Sequence, residues 1–235
     1  MTRAAELAEA LARLRDRVSA AARAAGRDPD QVTLLPVTKF FPAADIRILA
    51  GLGCPAVAEA RDQEAVVKVS QVPGLTWHMI GRLQRNKARS VARWADVVQS
   101  VDSVRLVDSL SAAATAERDG ALRVLVQISL DDDPARGGVA ASDVAELADR
   151  VAAAPGLELA GVMAVAPLGA EPDLAFAQLA RVHERLLRDH PGAAERSAGM
   201  STDLESAVRH GSTCVRVGTA LLGTRQYSHL EREPQ

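Results

Sequence analysis

The feature of this sequence that most limits its fold is an alternation repeated eight times: a short apolar run, then a stretch with helical spacing. The runs cover residues 34–37, 56–59, 77–80, 97–100, 123–128, 159–162, 196–199 and 214–217. Between them, Val144, Leu147, Ala148 and Val151 form one apolar stripe at helical steps. Phe176, Leu179, Val182, Leu186 and Leu187 form another. Eight strand–helix units in about 200 residues predict a parallel sheet closed into a (β/α)8 TIM barrel. A doubly wound open sheet is the alternative, but no Gly-x-Gly-x-x-Gly follows the first run, which argues against dinucleotide binding. An extra N-terminal helix precedes the barrel: Leu7, Leu11, Leu14 and Val18 share one face, Gly26 suits its C-terminal turn, and Asp28-Pro29 closes it. It is expected to cap the bottom of the barrel. No linker, repeat or low-complexity tract interrupts the pattern, so residues 1–235 are expected to form a single barrel domain.

Composition excludes several classes. The net charge of −2 over 235 residues points to neither nucleic acid nor an anionic membrane. Cys54 and Cys214 stand far apart in apolar settings, which fits core residues in a reducing compartment and no metal site. No apolar stretch approaches the ~18 residues of a membrane span. The first residues are charged throughout, without the apolar core of a signal peptide, so a cytoplasmic location is expected. Of 28 basic residues only Lys39, Lys68 and Lys87 are lysines. Arginine replaces lysine in most surface roles but cannot act as an amine nucleophile, which directs attention to these three.

In such a barrel, chemistry sits at the C-terminal ends of the strands. "LLPVTKFFP" places Lys39 just past the first strand, on the face of Leu35 and Val37. If those two fill the barrel, Lys39 points over its mouth, where partial desolvation and nearby cations favour a neutral, nucleophilic amine. An ordinary solvated lysine at a strand end is the plainer reading. In "STCVRVGTALLG", the valines suit the outer face and Arg216 points inward. A buried guanidinium needs a partner: an acid such as Glu59, or a ligand carrying an acceptor. After the seventh strand, Thr202 and Glu205 fit a capping box, with the Ser201 hydroxyl free at that helix start. After the eighth, Gly218 and Thr219 present backbone N–H groups. Adjacent tips of this kind suit a phosphate, although simple helix capping uses the same residue types. In "TWHMIGRLQRNKARS", His78 reads as a core histidine, and Lys87 near a helix start opposes the helix dipole. The role of residues 77–90 stays open, a partner surface being one reading.

Six pieces, "VTKFFPAADI", "WHMIGRLQRNKARS", "VQSVDS", "ARGGV", "GVMAVAP" and "SAGMSTDLESAVRHGSTCVRVGTALLGTR", resemble the pyridoxal phosphate (PLP) homeostasis protein family, in family order over nearly the whole chain. The resemblance implies a barrel similar to the N-terminal domain of alanine racemase. It implies PLP held covalently as a Schiff base on Lys39, its phosphate at Ser201, Gly218 and Thr219 with Ser197 close by, and its pyridine nitrogen facing Arg216. The implied role is intracellular PLP homeostasis without strong turnover, in a monomer, with PLP-accepting apo-enzymes as candidate partners. No catalytic residue and no metal are implied. Three positions depart from the family: "EARDQE" keeps Glu59 but has Ala60 and Arg61 where the family has Asn-Tyr, and Arg82 stands where His is frequent. These alter the expected ring contacts.

Arginine cannot accept a proton, so an arginine at the pyridine nitrogen would keep that nitrogen unprotonated and weaken the electron sink that PLP enzymes need. A racemase also needs a base on each face of the substrate carbon. The single tyrosine, Tyr227, stands in a polar tail, and six aromatics leave little for a closed substrate pocket. The alternatives are a PLP-dependent amino-acid racemase, and an aldolase-type lysine barrel that binds a sugar phosphate without PLP.

Overall fold

The computed structural model describes residues 1–131 and 137–224. Its strands are β1 (Thr33–Pro36), β2 (Ala56–Glu59), β3 (Thr76–Met79), β4 (Val97–Val101), β5 (Leu122–Gln127), β6 (Leu157–Met163), β7 (Glu195–Ser197) and β8 (Cys214–Val217). The helices are α1 (Arg3–Ala24), α2 (Ala43–Gly51), α3 (Asp62–Gln71), α4 (Ala88–Trp94), α5 (Val104–Glu117), α6 (Val144–Ala152), α7 (Pro172–Asp189), α8 (Leu204–Arg209) and α9 (Thr219–Leu222). All strand pairs are parallel and follow chain order, β8 lies beside β1, and a bridge between Val37 and Ala58 brings β1 to β2. The eight strands thus form a nearly closed TIM barrel with its helices outside. The observed strands match the expected runs to within a residue or two at most ends.

Each strand separates two cores by its period of two. On the outer side, Val98, Val124, Val126 and Val162 pack with Leu106, Leu110, Leu147 and Leu179 of the helices. On the inner side are two small clusters. Leu35, Val37, Ala56, Ala58 and Cys214 form one, with Ile80 against it. Val97, Leu125, Ala160 and Met163 form the other, with Val165 against it. Cys54 and Cys214 are free and buried, and burial pushes both thiols up, Cys214 to about 11. No helix among the described residues is long and apolar enough to cross a membrane.

The N-terminal helix corrects one expectation. It does not cap the bottom of the barrel but lies along its side. Leu7, Leu11 and Leu14 pack with Leu49 of α2, Val217 of β8 and Leu221 and Leu222 of α9, while Val18 and Ala22 meet Leu204 and Val208 of α8. The reason is length: α8 and α9 are too short to cover the β8–β1 seam, and the apolar stripe of α1 covers it instead. Its side chains also tie down the loops beyond. Arg17 donates to the Ser201 carbonyl at 2.8 Å and pairs with Glu205, and Arg3 donates to the Leu222 carbonyl at 2.9 Å and pairs with Asp45.

Gly161 lets β6 lie close against β7. A Cβ there would collide with the backbone of Glu195 on β7. Gly161→Ala must therefore push β6 and β7 apart, with a loss of at least ~2 kcal/mol of stability expected in urea unfolding.

Candidate functional site

Leu35 and Val37 face the lumen, and Lys39 stands in the turn just past the end of β1. It is partly buried, its Nζ stands 6.0 Å from the Phe40 ring centroid, and among the described residues it has no hydrogen-bond or ion-pair partner. Leu35 is in register with Arg216, and the Val37 N–H donates to Val217 O at 2.9 Å. The first and eighth strand tips are therefore neighbours.

A buried ion cluster outside the barrel wall grips both residues that flank Lys39. Lys68 of α3 donates to Glu59 Oε1 at 2.7 Å, Glu64 Oε1 at 2.6 Å and the Thr38 carbonyl at 2.8 Å. Thr38 Oγ1 donates to Glu59 Oε1 at 2.6 Å, and the Phe40 N–H donates to Glu64 Oε1 at 2.6 Å. Phe40 has φ 71, a strained value for a non-glycine residue that this hydrogen bond helps to hold. Burial raises the Glu59 carboxyl above its ordinary pKa, while hydrogen bonds from Lys68 and Thr38 act against it. Of this cluster, the Glu64–Lys68 step of four residues on one helix face was readable in the sequence. Its grip on Thr38 and Phe40 was not.

Arg216 is 4 % exposed, and its partner is not Glu59, which belongs to Lys68. Its guanidinium donates to Ser197 Oγ at 2.6 Å and to the Ala164 carbonyl at 2.8 Å. Ser197 Oγ donates to Gln99 Oε1 at 2.7 Å, and Gln99 Nε2 stands 2.9 Å from His78 Nδ1. Arginine can only donate, so this chain has one direction: Arg216 to Ser197 to Gln99 to His78, with the His78 Nδ1 lone pair as its acceptor. His78 is accordingly held neutral, and burial pushes its pKa down to about 4, with Arg123 adding to the shift. Burial also lowers the Arg216 pKa from its ordinary range. The Ser197 hydroxyl, expected close to an anion, is fully buried and spent in this seam. Gln99 was missed in the sequence, because a lone glutamine in an apolar run carries no signal.

The seventh and eighth tips lie side by side, with the Arg216 N–H donating to Gly199 O at 2.9 Å. The expected capping box does not form. Helix α8 starts at Leu204, Asp203 Oδ1 accepts the Met200 N–H at 2.6 Å, and Glu205 turns to Arg17. The long Arg17 side chain reaches Glu205 from α1, a partner no local pattern announces. Ser201 remains partly buried on the turn, and its hydroxyl makes no hydrogen bond among the described residues. The N–H groups of Gly218, Thr219 and Ala220 meet no acceptor among the described residues. A Cβ on Gly218 would lie 3.5 Å from Val37 O, so this turn abuts the strand that carries Lys39. Arg61, one of the two departures after β2, stacks its guanidinium 4.8 Å from the Phe40 centroid. Lys87 has an acid to answer it, Asp62 at 3.8 Å. Tyr227 and residues 132–136 of the fifth tip lie outside the described residues.

A partly exposed, unpartnered amine, a buried guanidinium and a row of free N–H groups on adjoining tips have the chemistry to take up an anionic carbonyl compound. The fold is that of the racemase-type barrels: the sequence model of the alanine racemase N-terminal domain matches residues 10–226. The chain is 50% identical over 244 residues to the "Pyridoxal phosphate homeostasis protein" of Mycobacterium bovis, covering 95% of each chain. It is 38% identical over 231 residues to the protein of that name from Escherichia coli, covering 95% of this chain and 98% of the other. PipY of Synechococcus elongatus, solved with PLP bound, superposes with a TM-score of 0.80 at 33% identity, covering 92% of this chain and 100% of that one. The chain belongs to the pyridoxal phosphate homeostasis protein family.

Two outcomes test this geometry. Lys68→Met leaves Glu59 buried without its cation, and a loss of ~3–5 kcal/mol is expected in urea unfolding. His78 sets a pH dependence. The unfolded imidazole protonates near 6.5 and the folded one near 4. The unfolded chain thus binds the extra proton between those values. The stability is fully present above pH 6.5 and is lost as pH falls towards 4. His78→Gln should reduce the slope of stability against pH in that window by up to one proton.

Proposed function

We propose that this protein binds PLP, with Lys39 bonded covalently to its aldehyde, and that it serves intracellular PLP homeostasis in the cytoplasm without strong turnover. The observation that carries this reading is the juxtaposition of the unpartnered Lys39 amine with the free N–H groups of Gly218, Thr219 and Ala220 on the adjoining strand tip. When bound, PLP supplies a reactive aldehyde and an electron-withdrawing ring. The donor set fits it: Gly218, Thr219 and Ser201 offer hydrogen bonds to a phosphate, and Lys39 offers an amine. Arg216 is assigned to the ring nitrogen. Ser197 and the Ala164 carbonyl hold that guanidinium in place, so Ser197 acts through Arg216 rather than on the phosphate.

The same assignment argues against efficient catalysis. A guanidinium has no proton-accepting capacity, so Arg216 leaves the ring nitrogen unprotonated. His78 is neutral and its Nδ1 is engaged by Gln99, which leaves that nitrogen unavailable as a base. These features suit storage and release, in a single-domain monomer that passes PLP to apo-enzymes.

The purified protein should be yellow. Borohydride reduction should bleach it and leave a phosphopyridoxyl group on the Lys39 peptide by mass spectrometry, and Lys39→Ala should abolish both. A protein that stays colourless and unmodified after added PLP would overturn the reading. Rapid deuterium exchange at an amino-acid α-carbon would retain PLP but favour a racemase.

A further inference from the structure

Beside the barrel mouth lies a groove of about 990 Å³, formed by the tips that follow β2, β3 and β4. Its rim carries Arg61, Arg82, Arg85, Lys87 and Arg105. Its floor is apolar, with Met79, Leu83 and Leu106 buried there. Two acids line it, Asp62 and Asp102. Asp62 is already engaged, accepting from Ser90 Oγ at 2.7 Å and Trp94 Nε1 at 3.0 Å and facing Lys87 at 3.8 Å.

Among the described residues, none of the four rim arginines has a carboxylate partner. Many arginines elsewhere are paired: Arg17 with Glu205, Arg93 with Glu117, Arg150 with Asp108, Arg209 with Asp173. Four exposed arginines thus share one rim, with Asp62 and Asp102 the acids beside them. The wall between the β2 and β3 tips is tightly packed. Gly81 packs directly on the Ala60 backbone, leaving no room for a Cβ, and Ser100 Oγ donates to the Gly81 carbonyl at 2.6 Å.

We propose that this groove, which adjoins the Lys39 mouth through Phe40, binds a small molecule that joins several phosphates to an apolar ring, of the nucleoside triphosphate class. Planar guanidinium forks match phosphate oxygens two at a time. The apolar floor offers a face to a heterocycle, which a site for inorganic anions would not need. The volume lies within the range of small-molecule pockets.

The test uses the full-length protein as purified. Titration calorimetry with ATP at low ionic strength should give a Kd below ~1 mM, weakening as salt is raised. Tripolyphosphate should bind more weakly and adenosine not measurably. The pair Arg82→Ser/Arg85→Ser should weaken ATP at least ~tenfold. The pair Arg185→Ser/Arg188→Ser, which removes the same charge from exposed positions on α7, should not. In the unmodified protein, ATP should shift the backbone amide resonances of residues 81–87 and 103–106, a readout that needs no variant. No heat with ATP, equal losses in both pairs, shifts confined to other residues, or binding of poly-glutamate in place of ATP would each overturn the proposal.

Discussion

The two-residue period of a strand in a closed barrel governs everything else in this protein. A side chain on an eight-stranded barrel faces either a narrow lumen or a layer of helices, and its neighbour faces the other. Along β1 this sends Leu35 and Val37 inward and Thr38 outward, with Lys39 on the turn that follows. Along β8 it sends Val215 and Val217 outward and Arg216 inward. Along β2 it sends Glu59 outward, away from Arg216 and towards α3. Parity thus keeps Arg216 and Glu59 on opposite faces of the barrel wall, so the two do not pair.

A charge inside so small a lumen needs company. The interior is split into two apolar clusters, one around Leu35 and one around Leu125. The line from Arg216 through Ser197 and Gln99 to His78 gives the polar groups a continuous set of partners. Its direction follows from its first member, which can only donate. That polarity fixes the hydroxyl of Ser197, the amide of Gln99 and the neutral state of His78 in turn.

The precision of the mouth comes from outside the barrel. Lys68, Glu59 and Glu64 hold the residues on either side of Lys39 without touching its amine. Helix α1 plays the corresponding part at the other tips, with Arg17 on the Ser201 carbonyl and Arg3 on that of Leu222. The turns that carry Lys39 and Ser201 are therefore tied down by neighbouring helices, and these two side chains keep their own donors free.

By itself, the sequence determined the barrel, the inward direction of Arg216, and the adjacency of the seventh and eighth tips. These follow from local periodicity and chain order, which each short run carries within itself. Only the tertiary structure decided the partners. It assigned Glu59 to Lys68 rather than to Arg216, replaced the capping box at Thr202 by a reach from Arg17, drew Ser197 and Gln99 into the lumen, and laid α1 along the seam between β8 and β1. Each of these contacts joins residues far apart in the chain or depends on how long side chains extend across a gap. Such choices are settled by burial and charge in the folded state, where an unpaired ion costs several kcal/mol, and spacing along the chain does not record them.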